Sequence, residues 1–388
     1  MGKRGNGEGS IYYSENLKRW VGQFTAGYKE NGKLNRKTVY GKTRKEVANK
    51  INEKQNELNN NTFVDKSDVK FYELAQKYID DRYNSNVITA TTYLSNSYAL
   101  NRLKQTNIYS AKIQHITADF INKELVKLKK YSASVIEKEK SIISNTLDLA
   151  VLNKLIYNNP FSIKKSIIIP KSDVQTREVD ALTVDEQKML VKELGIKDYR
   201  YKEIILIALY SGMRIGEILA LEDTDIDLKN NIIHVSRTLT KSKNQKIVVG
   251  TKTKTYSGKR DVPLFPQIKC YFENIPQGLI FTYNSKVILP VTINSALKRI
   301  CKNAGIRLSK YPLHRDNKMI QLNTSTVHTH MLRHTFATRC IEAGMQAVVL
   351  QKILGHKDIS VTLNTYTSIF NKFKQNEVEK VTNYLDTF

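Results

Sequence analysis

The stretch from Thr329 to Tyr366, THMLRHTFATRCIEAGMQAVVLQKILGHKDISVTLNTY, limits this chain more than any other part of it. Val348, Val349, Ile353 and Leu354 describe an apolar helix that ends at Gly355-His356, because glycine is the residue that closes a helix through a left-handed turn. In the helix before it, His330 and Arg333 fall on one face about one turn apart. Tyr366 follows ten residues after His356. Such spacing means little alone. It gains weight from a second arginine in YSGMRIGE and a lysine-rich stretch, TKTKTYSGKR.

With 388 residues the chain has room for two or three domains. Lysine and arginine number 62 against 37 acidic residues, and a net charge of +25 calls for a polyanion, nucleic acid first and an anionic membrane surface second. No apolar run reaches the roughly 18 residues of a spanning helix, and the opening MGKRGNGEGS lacks the apolar core of a signal peptide. A soluble protein of the cell interior, without membrane partners, is expected. Cys270, Cys301 and Cys340 lie in no metal-ligand spacing, which suits a reducing cytosol and predicts no metal site.

The predicted architecture is multidomain and mainly α with small β-sheets. Residues 1–66 read as a three-stranded antiparallel sheet plus a helix: Trp20, Gly22, Phe24, Ala26 and Tyr28 alternate along a strand, Asn31-Gly32 is a hairpin turn, and Thr43 caps a helix carrying Val47, Ile51 and Leu58. This module has 14 basic and 7 acidic residues, and Arg19, Trp20, Gln23, Arg36 and Lys37 are its candidate DNA contacts. Residues 67–160 read as a helical domain, with helices from Phe71 and at about 90–105, 118–130 and 133–154, closed by Asn158-Asn159-Pro160. Its outward lysines suit DNA as well as a plain solvated face. Residues 161–180 form an extended linker.

The last domain, 181–388, is α+β. It opens on a capping box, Thr183 with Glu186, followed by an almost uninterrupted apolar helix, Ile204 to Tyr210, that stops at Ser211-Gly212. Arg214 comes in the turn and Glu217 opens the next helix. Strands are expected at 231–237, 246–251 and 260–264, and helices at about 292–304, 329–343, 346–354 and 360–367. Between Lys241 and Arg260 stand seven basic residues and no acidic one, of which Lys252, Lys259 and Arg260 are candidate DNA contacts.

A metal-free phosphodiester exchange needs a nucleophile, cations or donors around the pentacoordinate phosphate, and an acid for the departing oxygen. Each is present. Arg214 and Arg333 can offer planar forks to phosphate oxygens, His330 and His356 further donors, and Tyr366 a nucleophilic hydroxyl. With Thr329 as helix cap, His330 lies in the first turn, where free amides also favour an anion. A lysine, with its ordinary pKa of about 10.4, is protonated at neutral pH and becomes a better acid when neighbouring arginines lower that value.

At these positions the chain resembles the tyrosine recombinases, most of all the integrases of phages and conjugative transposons. YSGMRIGEILAL is similar to the family's first arginine box, which makes Arg214 catalytic and Glu217 supporting; HTHMLRHTFAT resembles its HxxR box, giving His330 and Arg333; LGHKDISVTLNTY resembles its last box, giving His356 and the nucleophile Tyr366. Thr253 to Pro263 is similar to the turn that carries the catalytic lysine, Lys254 or alternatively Lys252. The histidine that many relatives carry just after the tyrosine is replaced by Thr367-Ser368. The resemblance implies an arm-site module at 1–66, a core-binding helical domain at 67–160, no cofactor, four protomers on duplex DNA exchanging strands through a Holliday junction, a tail packed on a neighbour, a DNA-bending accessory protein, an excisionase and a bacterial cytoplasmic location.

Taken singly, each residue has a plainer explanation: His330, His334 or His356 as a structural histidine, Arg333 in a surface ion pair, Glu217 as complement to a helix start. Four boxes in one order outweigh these. The competing functions are a DNA-binding protein that has lost the chemistry, a strand-nicking topoisomerase, and a histidine-dependent metalloenzyme, against which the lack of any HExxH pair counts.

Overall fold

The computed structural model describes residues 10–28, 31–60, 62–174, 181–244, 246–250, 259–315, 318–360, 362–363, 378 and 381–387. The chain divides into two compact units, residues 1–176 and 177–388.

The first unit begins with an antiparallel meander of β1 (Ser10–Ser14), β2 (Arg19–Tyr28) and β3 (Leu34–Gly41), followed by α1 (Arg44–Asn59). Period two places Trp20, Gly22, Phe24 and Ala26 on one face, and there Phe24 packs with Val47 and Ile51 of α1. Gly22 is the point of closest approach: a Cβ would lie 2.4 Å from Val47 Cγ1. The Thr43 hydroxyl accepts the Glu46 N–H at 3.1 Å, the expected cap.

Four helices follow, α2 (Phe71–Asn84), α3 (Ala90–Arg102), α4 (Ala118–Val126) and α5 (Ala133–Leu152). Phe71, Ile79, Leu103, Ile121, Leu125, Ile136 and Leu147 form their common core. Two of them end sooner than periodicity suggests. α3 tightens into a 3₁₀ turn at 103–105 and α4 stops at Val126, as helix ends commonly do.

The second unit is built on α6 (Val184–Ile196), α7 (Lys202–Ser211), the four-residue α8 (Ile215–Ile218), five strands β4 (Ile226–Asp227), β5 (Ile232–Val235), β6 (Thr238–Lys241), β7 (Ile247–Gly250) and β8 (Arg260–Pro263), then α9 (Pro266–Lys269), the small hairpin β9 (Thr282–Tyr283) and β10 (Lys286–Val287), α10 (Pro290–Asn303), β11 (Leu308–Arg315), β12 (Lys318–Ser325), α11 (Thr329–Glu342) and α12 (Ala347–Leu354). Its core surrounds the apolar α7, whose Ile205, Ile207 and Leu209 are buried with Leu332, Phe336 and Ala337 of α11. β4, β5 and β8 form one sheet in that order, while β6 pairs with β7 alone. The expected strand over 231–237 therefore stops at Val235, and β6 leaves the sheet. β11 and β12 pair from Leu308 opposite Ser325 to Arg315 opposite Lys318, a hairpin absent from the sequence expectation. Among the described residues no helix is long and apolar enough to cross a membrane.

Candidate active site

The first arginine is set by a helix end. α7 closes at Gly212, which adopts φ +64°, and Arg214 is the residue that starts α8. A carboxylate three residues on completes the turn: Glu217 accepts the Arg214 N–H at 2.9 Å and its Nη1 at 3.0 Å. Arg214 stays 44% exposed while Glu217 is buried. A second guanidinium takes both carboxylate oxygens, Arg260 Nη1 to Oε1 at 3.0 Å and Nη2 to Oε2 at 2.7 Å. Burial pushes the Glu217 carboxyl up, but the bonds and charge of Arg260, then Arg214, outweigh it and hold the pKa at about 2. Glu217 is thus both a helix-start residue and the support of two arginines.

Arg333 lies in α11, with its side chain inside the unit. It is 2% exposed, so the surface ion pair is excluded, and its guanidinium donates to the carbonyls of Gly212 at 2.8 Å and Leu354 at 2.6 Å. The helix is capped by His328, one residue before the expected Thr329, whose N–H is taken by Asn294 Oδ1 at 3.0 Å. His330 nevertheless remains in the first turn. Its ring meets that of His334 edge-on with centroids 4.5 Å apart. Burial, then the charges of Arg333 and Arg214, lower the His330 pKa; burial, His330 and Arg333 bring His334 to about 4.

His356 follows the corner at the end of α12, where Gly355 adopts φ +68°. Its Nδ1 is 2.7 Å from the hydroxyl of Thr362, a fully buried residue. Burial, then Arg333, Arg214, Arg260 and His330, bring its pKa to about 4. The same positive groups act on His330 and His356, so the three boxes meet in one electrostatic neighbourhood. Two neutral imidazoles within the fields of two arginines suit an anionic ligand that can accept hydrogen bonds. The Thr362 hydroxyl fixes the orientation of the His356 ring, and in the tautomer that accepts at Nδ1 the proton is on Nε2, ready to donate.

Residues 180–372 match the phage integrase family. The chain belongs to that family. It is 28% identical over 384 residues to a "Tyrosine recombinase XerC-like" protein of Caldanaerobacter subterraneus subsp. tengcongensis, covering 92% of this chain and 93% of that one. To the transposase from transposon Tn916 of Enterococcus faecalis it is 26% identical, covering 76% and 73%. The integrase of transposon Tn1549, solved in complex with transposon right-end DNA, shares the fold at a TM-score of 0.62 and 24% identity, over 79% of this chain and 99% of that one. The chain is accordingly a tyrosine recombinase, an enzyme that cleaves and rejoins DNA strands.

Three of the integrase residues named from sequence, Tyr366, Lys254 and Lys252, lie outside the described residues, as does most of the helix expected at 360–367. Arg260 requires correction. It was expected on DNA, but its side chain is 5% exposed and its nitrogens are committed to Glu217 and, through Nε at 2.6 Å, to the Ile353 carbonyl. Lys259 beside it is exposed.

In the integrase's N-terminal sheet, Arg19 and Arg36 are exposed and share the open face with Gln23, Tyr12 and Tyr40; Arg19 lies over the Tyr40 ring at 5.7 Å. Trp20 and Lys37 fall on the other face. Trp20 packs on the α1 core, and Lys37, opposite Phe24, pairs with Asp65 at 2.8 Å. Thr362 and the positioning contacts of Arg260 were not anticipated. Cys301 and Cys340 are buried, which pushes their thiols up to about 12 and leaves them inert, and Cys270 is exposed. No group of three His, Cys, Asp or Glu residues among the described residues could hold a metal.

Proposed function

We propose that this chain is the integrase of a mobile element, cutting and rejoining duplex DNA with Tyr366 as nucleophile. The observation that carries the reading is that Arg333, three residues after His330, holds the carbonyls of Gly212 and Leu354, which lie two residues before Arg214 and His356 respectively, while Glu217 holds Arg214. The Tyr366 oxygen, its proton released to solvent, attacks the scissile phosphorus, the P–O5′ bond breaks, and Lys254, with Lys252 as the alternative, gives its proton to the departing 5′ oxygen. The product is a 3′-phosphotyrosine and a free 5′ hydroxyl. An incoming 5′ hydroxyl reverses the step, so bond energy is kept and neither metal nor ATP is required. The arginines and histidines stabilise the phosphorane, each donor commonly contributing about 10²- to 10³-fold in rate.

The open face of the N-terminal sheet supports arm-site binding by residues 1–66 through Arg19, Gln23 and Arg36. We assign core-site DNA to residues 67–160, a linker to 161–180 and the chemistry to 181–388. Solved relatives include a lambda integrase tetramer bound to a Holliday junction, and the same assembly is proposed here, working in the bacterial cytoplasm with a DNA-bending accessory protein and an excisionase. The experiment is an in vitro reaction between the two element ends: joined product supports the integrase, whereas relaxation of supercoiled DNA without joining supports a topoisomerase, and binding without either supports an inactive DNA-binding protein.

A further inference from the structure

We infer that Arg260 is a positioning residue for the cleavage step, one buried side chain through which two separate parts of the site are held in register. The inference rests on the phosphotyrosyl reading of the site. Arg260 is the first residue of β8, six residues beyond Lys254. Its two Nη atoms close a fork on Glu217, and Glu217 in turn holds the N–H and Nη1 of Arg214. Its Nε holds the Ile353 carbonyl, two residues before the Gly355 corner that delivers His356. Its stem fills the space below that corner, since a Cβ on Gly355 would come 2.8 Å from Arg260 Cδ.

Each contact makes a separate demand. The fork needs a planar guanidinium, since an ammonium presents no two parallel donors to both carboxylate oxygens. The third bond needs Nε, on the other edge of the same plane. A lysine keeps the charge beside Glu217 and loses this geometry. At 5% exposure the side chain does not reach DNA, so it acts only through the groups it holds. Through Glu217 it sets Arg214, and through Ile353 it sets His356. Small misplacements of such groups are expensive in rate, a shift of about 1 Å costing on the order of 10²-fold.

The test is single-turnover formation of the covalent adduct on a nicked suicide duplex carrying the terminal sequence of the element that encodes the chain, with rate constant and amplitude recorded separately. Arg260→Met is expected to lower the rate constant by about 100-fold and Arg260→Lys by about tenfold, with the affinity for the same duplex within about twofold of wild type and the amplitude kept. Arg260→Met combined with Glu217→Gln is expected to be no slower than Arg260→Met alone, since both act on Arg214 through one link. Should Arg260→Met fail to fold, Arg260→Lys decides. A folded variant with the wild-type rate constant, losing only melting temperature or amplitude, overturns the inference in favour of a purely structural ion pair. Loss of affinity at an unchanged rate constant overturns it in favour of a DNA contact. Wild-type protein that forms no adduct overturns the functional reading itself and is told apart by that control.

Discussion

Arg260 and Arg333 grip adjacent carbonyls, those of Ile353 and Leu354, at 2.6 Å each, and so close the C-terminal end of α12 with two buried guanidiniums. Terminal carbonyls of a helix have no partner within it and carry its negative dipole end, so two cations there are favourable on both counts. Arg333 also takes the Gly212 carbonyl, at the end of α7. The corners that deliver Arg214 and His356 are therefore bound by the same pair of side chains. The site is built from helix ends, and the glycines that make those ends possible are part of it.

Gly212→Ala tests one corner. Its φ of +64° strains any L side chain, and a Cβ would lie 2.3 Å from Cδ1 of the Phe336 ring. The left-handed conformation alone costs about 1–2 kcal/mol. The ring displacement adds to that, so denaturant unfolding should show a loss above this range and adduct formation should slow. Unchanged stability would show that α7 does not need this turn.

Protonation of the histidines supplies a second test. His334 and His356 have folded pKa values of about 4, below the ordinary 6.5, and His330 is shifted the same way. Between these values the unfolded chain binds more protons, so their contribution to stability is complete above about pH 6.5 and is lost as pH falls towards 4. Glu217 adds a term of the same sign lower down, present above its usual 4.5 and lost as pH falls through about 2. Urea midpoints should fall between pH 7 and 5, and His356→Gln should flatten that slope. An equal slope in the variant would exclude His356 as a contributor.

Glu217→Ala strands Arg260 as a buried charge. Breaking one side of a buried pair typically costs about 3–5 kcal/mol, and Glu217 is 4% exposed. Denaturant titration of the catalytic unit's transition should show a loss of that order, with Glu217→Gln milder because the amide keeps an acceptor. A loss below 1 kcal/mol, the scale of an exposed pair, would contradict the buried network.

What could be read in advance was local. Gly212, Gly355, and the Thr183–Glu186 box announce helix ends within a few residues, and the structure has them where the pattern placed them. Arg260 could not be read, because its partners Glu217 and Ile353 stand 43 and 93 residues away and a basic neighbourhood made a DNA contact the simpler inference. The face of Lys37 could not be read for a related reason. Which face it takes depends on its register opposite Phe24, whereas the parity of Trp20 with Gly22, Phe24 and Ala26 was already visible along one strand. The β11–β12 hairpin escaped notice because Pro312 interrupts its strand pattern.

The two faces of the N-terminal sheet make opposite predictions. On arm-site DNA, Arg19→Ala and Arg36→Ala should weaken binding and each lower the slope of log affinity against log salt by about 1, as loss of one phosphate contact does. Lys37→Ala should leave the salt slope unchanged, since its ammonium is paired with Asp65. Equal effects at all three positions would mean that DNA does not distinguish the faces.

The most direct measurement is the covalent adduct. Incubated with a nicked suicide duplex and then denatured, the wild-type protein should retain DNA through a bond that peptide mapping places on Tyr366, and Tyr366→Phe should retain none. Absence of any adduct from the wild type, or an adduct that persists in Tyr366→Phe, would contradict the account.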